Sequence, residues 1–306
     1  MDKQEMYIPS SVNGKRLHVV IWRPEGEPLA VLQLTHGMCE YIDRYDDFAR
    51  HLNGLGIAVI GHDHLGHGGS VSTAADLGYF ADKPAAENLI DDIHAVTLLA
   101  RQEFPNALNF LLGHSMGSFF ARRYLALYGA DISGAVVMGT GWVPSPVPQL
   151  GRVVATLISL VRGRRCRSKL LGGMVLGASE KAFASEGRLA WLSVNKANVR
   201  RYEADPLCGF AFTAGAYRDF FDIMAALAAQ RGFDGIPRDL PVLVISGEKD
   251  PVGGAPAVRQ VAAQLRALGL KDVTEKTFPG DRHEILNESD REAVYAFIDR
   301  WIMERC

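Results

Sequence analysis

The sequence has 306 residues, 48% hydrophobic and 22% charged, with a formal net charge of -2. That is an ordinary globular balance, long enough for one large core with an inserted subdomain, and it excludes an overall basic field for nucleic acid. No uninterrupted apolar run is long enough to span a bilayer, and the polar, acidic start from Met1 to Met6 lacks the apolar core of a secretion signal.

In chain order, residues 7–9 and 17–22 read as strands joined through Val12-Asn13-Gly14-Lys15, because Asn-Gly tolerates the positive φ of a tight turn. Residues 29–34 form a short apolar run typical of a buried strand, followed by a helix over 45–55 and a strand over 57–60. A glycine-rich loop, His62 to Ser70, precedes a helix over 89–104 with apolar residues at Leu89, Ile93, Val96 and Leu99. An apolar strand over 107–112 then runs into Gly113-His114-Ser115-Met116-Gly117 and a helix over 119–128. Residues 134–138 read as another buried strand.

From Trp142 to about Phe233 the alternation breaks. Proline turns open the stretch, amphipathic helical pieces fill it, and no buried strand is expected. Strands return at 241–246 and 273–278, with helices over 257–268 and 291–303. Short strands alternating with helices predict an α/β protein, a mostly parallel sheet covered on both faces. The expected division is a core of residues 1–141 and 234–306 with a helical cap over 142–233.

The stretch around Ser115 organises the chemistry. Gly-x-Ser-x-Gly between a strand and a helix is a nucleophile elbow, which lifts one hydroxyl above the sheet edge on a strained turn. Asp250 and His283 each stand just past a strand, where parallel sheets gather their sites. In the order Ser115, Asp250, His283 they suit a triad: His283 takes the serine proton, and Asp250 orients the imidazole. The backbone amides of Met116 and Met38 are the expected oxyanion donors.

Several stretches carry a resemblance. His36-Gly37-Met38-Cys39-Glu40 with Arg44-Tyr45, the elbow pentapeptide, Asp63-His64-Leu65-Gly66-His67-Gly68 with Ser70, and Pro279 to Glu288 together resemble monoacylglycerol lipases and related bacterial lysophospholipases. The resemblance covers nearly the whole chain and implies an α/β-hydrolase fold, a serine esterase of single acyl chains working through an acyl-enzyme, and no metal or organic cofactor. That family often has Gly and His where Cys39 and Tyr41 stand, which spares the backbone donor but reshapes the pocket wall. His36, Gly37, Cys39 and His114 are the expected substrate contacts.

Other signals have plainer readings. His62, Asp63, His64 and His67 lack a second ligand cluster, so a structural turn is preferred to a zinc site, with Asp63 bonding loop amides. The scattered cysteines Cys39, Cys166, Cys208 and Cys306 read as free thiols in a reducing cytoplasm. Cys39 near the hole and Cys208 over the pocket suggest steric sensitivity to thiol reagents. Trp142, Phe183, Trp191, Phe210 and Phe212 are candidates for an acyl tunnel. An apolar helical face at Val153, Val154, Leu157, Ile158 and Val161, followed by Arg162, Arg164, Arg165, Arg167 and Lys169, suits either a packed cap helix or contact with a membrane or micelle surface.

The expected partner is a small lipid ester; nucleic acid is not one. Alternatives are an aminopeptidase of the proline iminopeptidase type, gripping an amine with Glu180, Glu186, Glu203 or Asp205, a general short-chain carboxylesterase, or a hydrolase fold without turnover. Epoxide hydrolases and dehalogenases carry aspartate where Ser115 stands.

Overall fold

In the computed structural model, which describes residues 2–142 and 144–306, eight strands form one sheet in the order β1-β2-β4-β3-β5-β6-β7-β8. β1 (Asp2–Pro9) and β2 (Arg16–Arg23) make an antiparallel hairpin at one edge, and β2 meets β4 (Ile57–His62) antiparallel. β3 (Ala30–Thr35), β5 (Leu108–His114), β6 (Gly134–Met138), β7 (Val242–Gly247) and β8 (Val273–Phe278) complete the parallel part.

β1 begins five residues earlier than the apolar pattern implies. Its first residues, Asp2 to Glu5, are polar and mostly outside the core, and they join by backbone pairing to Arg23, Trp22, Ile21 and Val20. An edge strand needs hydrogen-bonding partners more than apolar side chains, so periodicity understates it. At the hairpin only Gly14 takes positive φ, +76°; Asn13 does not use the freedom that its sequence position allowed.

The central strands are buried on both faces, and their side chains alternate between two cores. Val19 and Ile21 face one core, with Val31, Leu111 and Val137. Val20 and Trp22 face the other, with Leu32, Leu34 and Val136. The second core is closed by α1 (Asp46–Gly54) and α9 (Arg291–Met303) through Phe48, Leu52, Ile298 and Trp301. The first is closed by α2 (Ala86–Glu103), α3 (Met116–Tyr128) and α8 (Gly254–Ala267).

Between β6 and β7 the chain forms α4 (Val147–Arg162), α5 (Lys169–Ala182), α6 (Lys196–Ala204) and α7 (Ala214–Ala228). α7 is tied to the core: Phe220 stands edge-on to Phe119 of α3, with ring centroids 5.5 Å apart. α4 lies against α7 at Gly151, where a Cβ would strike the Phe221 ring. The basic run after α4 serves as a seam. Arg164 pairs with Asp219 at 2.7 Å, Arg165 pairs with Asp76 at 2.9 Å, and Arg167 donates to the Leu77 carbonyl at 2.9 Å. Those three guanidiniums are therefore engaged by protein and do not form a free comb for anionic lipid.

Candidate active site

Register places the site. Thr35 of β3 is the partner of Gly113 in β5, so the loop after β3 emerges beside the elbow. Ser115 follows β5 with φ 53° and ψ -119°, a conformation that costs on the order of 1–3 kcal/mol and needs outside support. Both of its backbone polar groups supply that support. Its N–H donates to the Met138 carbonyl at 3.0 Å, and its carbonyl accepts from the Ser118 N–H at 2.9 Å and hydroxyl at 2.6 Å. A Cβ on Gly113 would run into the Gly117 carbonyl, and one on Gly117 into that of Thr35. Side chains are thus excluded where strand, helix and neighbouring loop cross.

Asp250 sits in the turn after β7. Its carboxylate accepts from the Ser246 hydroxyl at 2.7 Å and the Val252 N–H at 2.9 Å. The His283 ring donates from Nδ1 toward both carboxylate oxygens at 3.0 Å. Burial pushes the Asp250 carboxyl up, but the adjacent His283 and these hydrogen bonds outweigh it and leave it below its ordinary value. With Nδ1 occupied as donor, Nε2 is left as the acceptor nitrogen. The ring is held between Trp191 and His114, with centroids at 5.0 and 4.8 Å. His283 and Ser115 line the same cavity. Among the described residues no hydrogen bond joins the Ser115 hydroxyl to His283, a contact that often tightens only around substrate.

Met116 is the first residue of α3, so its amide has no partner in a preceding turn. In the loop after β3, the Gly37 N–H donates to Glu40 at 2.6 Å and the Cys39 N–H to His67 Nε2 at 3.3 Å. The Met38 amide between them enters no turn or loop bond among the described residues.

The four expected substrate contacts separate. Gly37, Cys39 and His114 line the cavity at Ser115, whereas His36 does not. Its ring is fully buried, with Nδ1 at 2.8 Å from the Gly37 carbonyl and Nε2 accepting from the His64 N–H at 3.0 Å. His36 staples the loop and does not reach the cavity that its neighbours line. The Cys39 thiol donates to the Phe210 carbonyl at 2.9 Å, and burial pushes its pKa well up, so it is a poor target for thiol reagents. Cys208 is half-buried and is absent from the residues lining that cavity. Asp63 accepts from the Ile42 and Gly69 amides at 2.8 and 2.7 Å, the structural use expected of it.

A buried charge cluster beneath the site escaped the sequence reading. Arg44 donates to Glu40 at 2.7 Å and to both oxygens of Glu284, each at 2.7 Å. Asn198 of α6 adds a bond to Glu284 at 2.6 Å, while His114 and the Tyr45 hydroxyl each lie 3.0 Å from Glu40 Oε1. Burial opposes the charge on Glu40, but His114 and Arg44 hold the carboxyl below its ordinary range; burial lowers His114, but Glu40 carries it above its own. Two carboxylates thus face one fixed cation and one imidazole inclined to be charged. Glu40 and Arg44 are four apart in the very loop that carries the resemblance, a spacing that signals the pair; nothing local signals Glu284.

Two cavities meet at Ser115. One, of about 60 Å³, has a mixed lining, in which Glu40, Glu180, Arg188 and His283 stand beside Leu176, Leu189, Trp191, Leu192 and Phe210. The other, of about 230 Å³, is walled by Met38, Phe119, Met174, Val175, Phe221 and Val252. Of the aromatic candidates, Trp191 and Phe210 line the smaller cavity. Trp142 lines a separate one, Phe183 lies under the Arg282 guanidinium, and Phe212 is core.

The family model described as "Serine aminopeptidase, S33" matches residues 26–290. A monoacylglycerol lipase of Mycolicibacterium smegmatis is 26% identical over 298 residues, which is 96% of this chain and 95% of that one. Human monoglyceride lipase is 26% identical over 309 residues, 97% of this chain and 91% of its own. A thermostable carboxyl esterase from Bacillus coagulans, solved in complex with glycerol, superposes with TM-score 0.89 at 26% identity over 99% of both chains. A soluble variant of monoglyceride lipase from Saccharomyces cerevisiae shares the fold at TM-score 0.77 and 19% identity, covering 100% of this chain and 96% of that one. The fold is that of the α/β-hydrolases.

Proposed function

The chain belongs to the serine aminopeptidase S33 family, and from that premise we propose a serine ester hydrolase for single-chain lipid esters, monoacylglycerol or lysophospholipid, with Ser115, His283 and Asp250 as its triad. The observation that carries the substrate class is the pair of unlike cavities at Ser115. The larger, mainly apolar one suits an acyl chain, and the smaller one, which brings Glu40, Glu180, Arg188 and Glu284 among its walls, suits the alcohol.

Ser115 Oγ attacks the ester carbonyl while His283 Nε2 takes its proton. The Met38 and Met116 amides receive the oxyanion. Collapse returns the proton to the leaving alcohol on the side of the smaller cavity and leaves the acyl chain bonded to Ser115 on the apolar side. Water, deprotonated by His283, then releases the carboxylate.

Residues 142–233 form the cap in this reading, and the cap also meets the lipid surface. On α4, Val147, Leu150, Val153, Leu157, Leu160 and Val161 are all more than half exposed, up to 84% for Val161, and Val147 also lines the apolar cavity. No helix among the described residues is long and apolar enough to cross a membrane. An apolar ridge of this kind lies in an interface.

The family's name keeps a peptidase reading in view, but of the four cap carboxylates only Glu180 is among the residues that line the cavity at Ser115, and it is already paired. Glu180 pairs with Arg188 at 3.1 Å, Glu186 with Arg282 at 2.7 Å, and Asp205 accepts from the Tyr41 hydroxyl at 2.8 Å. Glu203 lines a different groove. The test compares the purified chain on monoacylglycerols of increasing length, lysophospholipids, short p-nitrophenyl esters and a prolyl arylamide. Turnover that rises with acyl length is expected. A preference for the arylamide would refute the reading, and activity confined to acetyl and butyryl esters would move it to a short-chain carboxylesterase.

A further inference from the structure

The buried arginines differ in one respect. Arg44, Arg123, Arg164 and Arg282 each hold a carboxylate: Glu40 with Glu284, Glu87, Asp219 and Glu186. Arg122, on α3 behind the elbow, is 5% exposed. Among the described residues it donates to neutral oxygens alone, at 3.3 Å to the Thr140 hydroxyl, 3.1 Å to the Gly141 carbonyl and 3.4 Å to the Gln264 amide oxygen. Among the described residues no acid offsets its burial, which pulls its pKa down to about 10. A buried guanidinium that meets neutral acceptors and the Phe119 ring, 5.8 Å from its centroid, but no anion is a costly arrangement, and an arriving anion relieves it.

Arg122 lines a cavity of about 170 Å³ with Phe119, Trp142, Met224, Leu227 and Gln264. A cavity near this size accommodates a ligand of roughly benzene dimensions. One guanidinium selects a single negative charge, and its planar fork matches a carboxylate. Phe119, Trp142, Met224 and Leu227 give a hydrocarbon body a surface to rest on, while Ser145, Gln230 and Gln264 make the rest of the lining polar but uncharged, which suits a single carboxylate better than phosphate. We propose that this cavity is a second ligand site, which takes a small apolar monocarboxylate with its head on Arg122. Phe119 and Met224 also wall the apolar cavity at Ser115, so a bound acid there presses on the proposed acyl site. That the acid is the enzyme's own acyl product rests on the ester-hydrolase reading; the site itself does not.

The test is calorimetric titration of the intact protein with hexanoate, phenylacetate, hexanamide and inorganic phosphate, a readout that needs no ester turnover. At least one of the two carboxylates should bind saturably, and Arg122→Gln should weaken it about tenfold or more while leaving hexanamide unchanged. Tighter hexanoate points to the acyl product, tighter phenylacetate to an acid from elsewhere; both support the site. Leu227→Trp, which fills the cavity and spares Arg122, should abolish binding, whereas Ala178→Trp, which fills only the cavity at Ser115, should not. These two variants keep the test standing if Arg122→Gln does not fold. The proposal is overturned if Arg122→Gln binds the carboxylates as the wild type does, if Ala178→Trp rather than Leu227→Trp removes binding, or if phosphate binds as tightly as the organic acids.

Discussion

The loops 36–45 and 281–288 bury charge beneath Ser115, while α4 and α5 above it turn large apolar side chains to solvent. In the loops, Arg44 is shared by two carboxylates and every oxygen of Glu40 and Glu284 has a donor. On α4 and α5, Leu157, Leu160, Leu170 and Met174 are 45–76% exposed. The first region resembles a fixed platform, in which hydrogen bonds dictate one geometry for the reacting groups. The second leaves a large apolar face exposed, the surface proposed above to meet lipid. The contrast separates chemistry from substrate delivery, and substitutions can strike one without the other.

The largest effect is expected at the platform's centre. Ser115→Ala should lower kcat by about 10,000-fold or more and leave the melting transition in place, measured on a monoacylglycerol and a soluble ester alike. Next is Arg44→Met, which leaves two buried carboxylates without their cation. Its expected cost is about 3–5 kcal/mol of stability by denaturant unfolding, and adding Glu284→Gln should recover part of it. On the other region, Leu157→Glu with Leu160→Glu should weaken vesicle binding by about tenfold or more and spare hydrolysis of a soluble short ester. If both activities fell together, the division between the two regions would be lost.

The smallest effect concerns pH. Burial, with Asp290 and Glu288 nearby, pushes the Asp281 carboxyl up to about 7. Between roughly pH 4, the unfolded value, and pH 7, the folded state keeps a proton that the unfolded chain has released. Stability therefore falls as pH rises through that window. Asp281→Asn should remove this fall, so its melting temperature should exceed the wild type's more at pH 8 than at pH 5.

The same contrast explains what was legible in the sequence. β6 and α9 begin and end where the apolar pattern places them, because both faces of a central strand and one face of a core helix are read locally. Gly113 to Gly117 announced the elbow, since only glycine fits the crossing. His36 was misjudged because proximity in sequence to the oxyanion loop does not tell which way a ring turns. Glu284 reaches Arg44 across 240 residues, and no periodicity encodes such a pairing. The apolar cavity draws Met38, Phe119, Val175 and Val252 from four separate stretches, so it exists only once the chain has folded. The arginines after α4 suit either a packed cap helix or a lipid-facing patch in the sequence, because the sequence does not show their partners Asp219, Asp76 and the Leu77 carbonyl.

In the proposed triad Ser115 accepts the acyl group because His283, held by Asp250, takes its proton. Treating the intact protein with a long-chain alkyl fluorophosphonate and locating the adduct by peptide mass spectrometry probes this at the reacting atom. One stoichiometric adduct on Ser115 is expected, with labelling slowed by orders of magnitude in His283→Ala. No adduct on a folded protein, an adduct on another residue, or undiminished labelling without His283 would rule the triad out.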